Sequence, residues 1–127
     1  MTEARMINTP AAAPPGASYS QAFDLGTVVI TAGQVGATPD GTLGGDLEDQ
    51  LHRAVDNLQA VLEAAGSSLR NVVKTTCYLA DVADFAAFDR LYRQRFGDPL
   101  PARSTVGVAF GNPDLLVEIE AIATKAD

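Results

Sequence analysis

The stretch NVVKTTCYLADVADFAAFDRLYRQRFGDPLPARSTVGVA, residues 71–109, decides the fold. Its first part is rich in β-branched residues and predicts a strand over Asn71 to Leu79. Asp81 is placed to cap a helix over Val82 to Phe96, with Phe85, Phe88, Leu91, Tyr92 and Arg95 along one side. Gly97, Pro99 and Pro101 end that helix, and a strand over Ser104 to Ala109 follows. A strand, a helix and a strand in this order imply a parallel pair with a right-handed crossover.

Upstream, Asp46 reads as an N-cap, with Glu48 and Asp49 in the first turn of a helix. Leu47, Leu51, Ala54, Val55, Leu58, Val61, Leu62 and Ala65 repeat at helical spacing, and Gly66 closes the element. Further upstream come short strands near Arg5 to Asn8, Ser20 to Phe23 and Thr27 to Thr31, the last two joined by a hairpin turn at Asp24-Leu25-Gly26. The segment AGQVGATPDGTLGG, residues 32–45, reads as a Gly-rich loop that turns at Pro39-Asp40-Gly41. It lacks the Lys-Ser/Thr ending of a phosphate loop. Downstream, Gly111 to Asp114 leads into a strand over Leu115 to Thr124. The order β-β-β-α-β-α-β-β predicts one α+β domain over residues 1–127, two-layered, with a single mixed sheet covered on one face by both helices.

Composition narrows the function classes. A chain of 127 residues buries enough surface to fold without disulfides. It has one cysteine, Cys77, and one histidine, His52, so no disulfide framework and no Cys/His metal cluster is expected. Cys77 alternates with Thr75 and Leu79 and is expected to be a buried small hydrophobe. His52 lies beside the apolar stripe of its helix and is expected to be solvated. A net charge of −7 with scattered Lys and Arg argues against a nucleic-acid partner. The apolar runs are too short to span a membrane, no secretory signal is apparent, and a cytoplasmic location is the expectation.

Strand alternation sorts the polar residues. Val117, Ile119, Ala121 and Ala123 suit the helix-covered core, which turns Glu118 and Glu120 to the other face. If Val106 and Val108 join the core, Arg103 and Thr105 share the face of Glu118. Val72, Lys74, Thr76 and Tyr78 form the polar set of their strand, and a Lys74–Glu120 ion pair is expected. That face is either solvated, with weak ion pairs, or a subunit interface enclosing paired polar groups. Val72, Tyr78 and Gly107 fit the second alternative.

PARSTVGVAF (residues 101–110) followed by LLVEIEAIA (115–123) resembles the C-terminal signature of the RidA/YjgF family of reactive-intermediate imine/enamine deaminases. SYSQAFDLGTVVITAGQVG, DNLQAVLEAAG and VVKTTCYLADVADFAAF agree in order, so the resemblance covers nearly the whole chain from about Tyr19. It implies a chorismate-mutase-like fold and a homotrimer around a central β-barrel, with three sites in the clefts between subunits. It further implies hydrolytic deamination of 2-aminoacrylate-type imino or enamine acids to 2-keto acids and ammonia, with no metal or organic cofactor. Arg103 matches the carboxylate-binding arginine, whose fork suits bidentate recognition. Glu118 matches the glutamate that handles water or protons, and Tyr19 an aromatic lining the pocket. Gly33 and Gln34 fall in the matching loop.

Three positions depart from the family pattern. Ala32 stands where Ser is frequent, Thr105 where Cys is frequent, and Asp89 where Asn is frequent. They bear on substrate range more than on reaction class. The competing expectations are a non-catalytic ligand-binding member and a pathway-specific deaminase acting on an aminoacrylate- or aminomuconate-like intermediate. A ribonuclease-like activity has also been ascribed to relatives, and the acidic charge and lone histidine argue against it here.

Overall fold

A computed structural model describes residues 3–125. The order is β1 (Arg5–Ile7), β2 (Ala22–Asp24), β3 (Val28–Thr31), β4 (Gln34–Val35), α1 (Leu47–Ala64), β5 (Val72–Leu79), α2 (Phe85–Phe96), β6 (Ala102–Gly107) and β7 (Val117–Thr124). The strands form one sheet in the order β1-β2-β3-β7-β5-β6, with β4 joining β7. β5 and β6 are parallel, as the strand–helix–strand pattern requires, and the other pairings are antiparallel. No helix among the described residues is long and apolar enough to cross a membrane.

Asp46 caps α1 reciprocally. Its carboxylate accepts from the Asp49 N–H at 2.9 Å, and the Asp49 carboxylate accepts from the Asp46 N–H at 3.2 Å. The stripe Leu51, Val55, Leu58, Val61 and Leu62 is fully buried in one core with Val117, Ile119, Ala121 and Ala123 of β7. Each such side chain contributes roughly 1.5–3 kcal/mol on leaving water. α2 adds Phe88, Leu91 and Tyr92 to the same face, and the Tyr92 hydroxyl meets Thr75 Oγ1 at 2.7 Å. Asp81 caps the short 3-10 turn that leads into α2, accepting from the Ala83 N–H.

Two irregularities escape simple alternation. From Ile30 to Gln34 the chain takes four steps while its partner β7 takes three, Ile122 to Ile119. The extra residue is a bulge at Ala32-Gly33 that bends β3 into β4, so the Gly-rich segment is partly strand rather than all loop. A second register shift lies between Val72 and Lys74. It buries Val72 and exposes Val73, so Val72 belongs to the core and not to the open face.

Three buried carboxamides fasten the loops to this frame. Gln21 accepts from the Thr9 N–H and donates to the carbonyls of Thr9 and Ala13. Asn57 of α1 donates to Val35 O and Ala37 O and accepts from the Ala13 N–H. Gln50 donates to Asp114 O and accepts from the Leu116 N–H. Each satisfies backbone groups that burial would otherwise leave unpaired. Gly36 lets the chain pass α1, since a Cβ there would lie 2.5 Å from the Gln50 Cα.

Candidate functional site

The sequence-predicted residues gather into two groups, not one. The first surrounds Glu118. On β7 this residue lies opposite Val35 of β4 and Tyr78 of β5 and faces away from the helices. The bulge brings Gly33 beneath it: a Cβ at Gly33 would collide with Glu118 Oε2. The carboxyl therefore rests against bare backbone, a place only glycine leaves open. Tyr19, Ala32, Gly33 and Glu118 line one cavity of about 750 Å³, whose remaining wall is mostly apolar and includes Pro14 and Phe110. The Tyr19 hydroxyl accepts from the Gly16 N–H at 3.1 Å. Burial raises the pKa of the Glu118 carboxyl from its ordinary value, and the charge of Glu120 raises it further.

The second group surrounds Arg103. β6 pairs in parallel with β5, setting Arg103 beside Thr75 and Thr105 beside Cys77. Thr75 and Cys77 point into the helix-side core, so Arg103 and Thr105 do too. The guanidinium carbon lies 4.7 Å from the Tyr92 ring centre, 5.4 Å from Phe88 and 5.6 Å from Phe85. Such faces favour a cation. Arg103 Nη1 also lies 2.9 Å from Asp89 Oδ1. Arg103, Asp89, Tyr92, Arg93, Leu100 and Pro101 line a hollow of about 250 Å³. Among the described residues, Thr105 Oγ1 is buried with no hydrogen-bond partner.

Arg103 and Glu118 thus lie on opposite sides of the sheet within one chain, contrary to the strand-parity expectation. The hydrophobicity of Val106 does not carry it into the core. Val106 is 46% exposed on the open face, beside Tyr78. That face already carries an apolar row, because Met6, Phe23, Ile30 and Ile122 are exposed and successively paired across four strands. The aromatic side of α2 gives the guanidinium a better berth than water-facing Val106 would gain from burial. Nor does Lys74 pair with Glu120. The β5 irregularity sets Lys74 opposite Ile122, where it donates to Ser104 Oγ at 3.0 Å. Glu120 instead accepts from the Tyr78 hydroxyl at 2.5 Å, and that bond holds the phenol's proton to about pH 12.

His52 is half-buried rather than solvated, its Nδ1 3.1 Å from Arg95 Nη1. Cys77 is fully buried, and burial pushes its thiol up to about 11, as suits a packing residue. The aromatic wall around Arg103 was missed as part of a site. Its only signal was the spacing of Phe85, Phe88 and Tyr92, which puts three rings on one helix face. Nothing in the sequence marked Pro14 or Phe110 as neighbours of Glu118.

The family model described as endoribonuclease L-PSP matches residues 9–125. A RutC family protein of Pyrococcus abyssi is 42% identical over 122 residues, covering 94% of this chain and 96% of the relative. A 2-iminobutanoate/2-iminopropanoate deaminase of Escherichia coli is 40% identical over 122 residues, covering 93% of each. The crystal structure of E. coli TdcF with bound serine superposes with a TM-score of 0.88 at 35% identity, covering 96% of this chain and 99% of that one.

Proposed function

The chain belongs to the RidA/YjgF family, and on that premise we propose that it hydrolyses 2-imino acids and their enamine tautomers to 2-keto acids and ammonia. The observation that carries the proposal is the seat of Glu118: a carboxyl of raised pKa, laid on bare backbone in a largely apolar cavity. A base of that kind can take a proton from water near neutral pH.

An enamine first gains a proton from solvent at carbon 3 and becomes the protonated imine, whose carbon is electrophilic. The Arg103 guanidinium binds the carboxylate through two N–H groups. Water adds to the imine carbon as Glu118 takes its proton, giving a carbinolamine. The protonated carboxyl returns that proton to nitrogen; as the C–N bond breaks, the carbinolamine hydroxyl gives its proton to the regenerated Glu118 carboxylate, the C=O group forms and ammonia leaves. We assign Thr105 no step of its own, because its hydroxyl is buried without a partner among the described residues and the residue lines neither hollow.

Because Arg103 and Glu118 occupy opposite sides of one protomer, the reaction requires the Arg103 group of one copy to meet the Glu118 group of another. The exposed row Met6, Phe23, Ile30 and Ile122 supports such self-association, and we assign the copies to a homotrimer with three equivalent clefts. The substrate is a small monocarboxylic imino acid, in keeping with the name of the Escherichia coli relative and the serine in the TdcF structure.

The test is to generate 2-iminopropanoate in place with an amino-acid oxidase and time keto acid formation. The protein should accelerate it, and Arg103→Ala should return it to the spontaneous rate. A wild-type protein that binds keto acids saturably but leaves the rate unchanged would instead be a ligand-binding member, an alternative favoured by the Asp89 carboxylate already on Arg103.

Gly33→Ala gives an independent check. The three atoms nearest the new methyl all belong to the flexible side chain of Glu118, so the melting temperature should hold within a few degrees. The carboxyl must move by an ångström or more, and kcat/KM should fall by roughly 10–10². Steady-state kinetics beside a thermal melt reads both.

A further inference from the structure

We infer that Asp89 is a specificity-determining residue, a resident carboxylate that competes with the substrate's carboxylate for Arg103. The inference rests on the assignment of Arg103 as the anchor. Three observations carry it. The Asp89 carboxylate lies 2.9 Å from Arg103 Nη1, the distance a bound substrate carboxylate would adopt. Asp89 and Arg103 line the same hollow, so an anion entering it meets both. The guanidinium does not need Asp89 to hold its place, because three aromatic rings flank it and its side chain is only 19% exposed.

The two partners differ in exposure. Asp89 is 48% exposed on the helix surface and can swing into water, whereas Arg103 is embedded. An arriving carboxylate therefore displaces a solvated group from a fixed one. Anion binding is weakened by the cost of breaking the ion pair and by repulsion between the two carboxylates. A ligand without a negative charge gains nothing from removing that competitor. Arg93 adds a second positive charge to the hollow's wall, but its exposed side chain leaves it screened.

Asp89→Asn keeps the shape and removes the charge. It should tighten binding of 2-oxobutanoate, measured by titration calorimetry, by roughly tenfold. Binding of the uncharged 2-oxobutanamide should be unaltered. The KM for 2-iminobutanoate should fall by a similar factor with kcat within about twofold. Carboxylate binding should also become more sensitive to added salt, since the guanidinium loses its internal counter-charge. Asp89→Ser should behave likewise, and size-exclusion chromatography checks that both variants assemble as the wild type does.

Unchanged or weaker 2-oxobutanoate binding in both variants overturns the inference and makes Asp89 a positioning residue for Arg103. Equal tightening of the amide overturns it as well. Arg103→Ala separates this failure from failure of the anchor itself. If that variant binds 2-oxobutanoate as tightly as wild type, the anchor assignment falls. If it loses binding while the Asp89 variants show no gain, only the competition falls.

Discussion

Subunits carrying Arg103→Ala and subunits carrying Glu118→Ala, each inactive alone, are expected to regain about a quarter of wild-type imine hydrolysis when unfolded together in equal amounts and refolded. The figure follows from the two-sided placement of the groups. A subunit lacking Arg103 still carries an intact Glu118 cavity, and the reverse holds for its counterpart. A working cleft needs an intact Arg103 on one side and an intact Glu118 on the other. With random mixing each requirement is met half the time, so about one cleft in four is complete, whatever the ring size. A site built within one chain gives no recovery at all. Three copies of the 13.3 kDa chain come to about 40 kDa, a mass that light scattering on the same samples would check. A mixed oligomer of that size with no recovered activity would overturn the shared cleft.

Glu118→Gln should lower kcat/KM by about 10²–10⁴, the usual worth of a positioned proton carrier, and it should stabilise the protein near neutral pH. The second effect has a definite sign. Burial and Glu120 raise the folded-state pKa of Glu118 above its unfolded value. Between those two pH values the unfolded chain holds fewer protons than the folded one, so stability falls as pH rises through the window. A neutral amide has no such window. Urea unfolding at fixed protein concentration, at pH 4 and pH 7.5, should show the variant's advantage only at the higher pH. If Glu118 is the base of the proposed hydrolysis, its raised pKa should set the acid limb of the pH–rate profile. Glu120→Gln removes one of the two causes and should move that limb toward lower pH, with the substrate's own ionisation common to both proteins. A limb that stays in place would remove Glu118 from the role of base.

Much of the architecture could be read from local chemistry. Asp46, the Leu51-to-Leu62 stripe and Gly66 mark α1 unambiguously, and strand–helix–strand order makes β5 and β6 parallel. β4 could not be read, because two residues inside a glycine-rich run carry no period, and their pairing is decided by β7 more than eighty positions later. The inward turn of Val72 was hidden for a related reason: a register shift is a property of two strands together. The face chosen by Arg103 was the costliest miss. Strand parity sorts residues into two sets but does not say which set goes in, and on an edge strand with valines in one set and a guanidinium in the other, hydrophobicity chose wrongly. The deciding fact was the aromatic face of α2. Family likeness supplied the identities of the candidate residues, yet carried no information about which side of the sheet each occupies within a single chain.

The amide side chains of Gln21, Gln50 and Asn57 give the cup around Glu118 a frame that has no protons to gain or lose. Acid or alkali can thus recharge the floor of the vessel while its walls keep their contour. In the proposed reaction, bends in a plot of rate against pH should then report protons moving at the site rather than any rearrangement of these three amides.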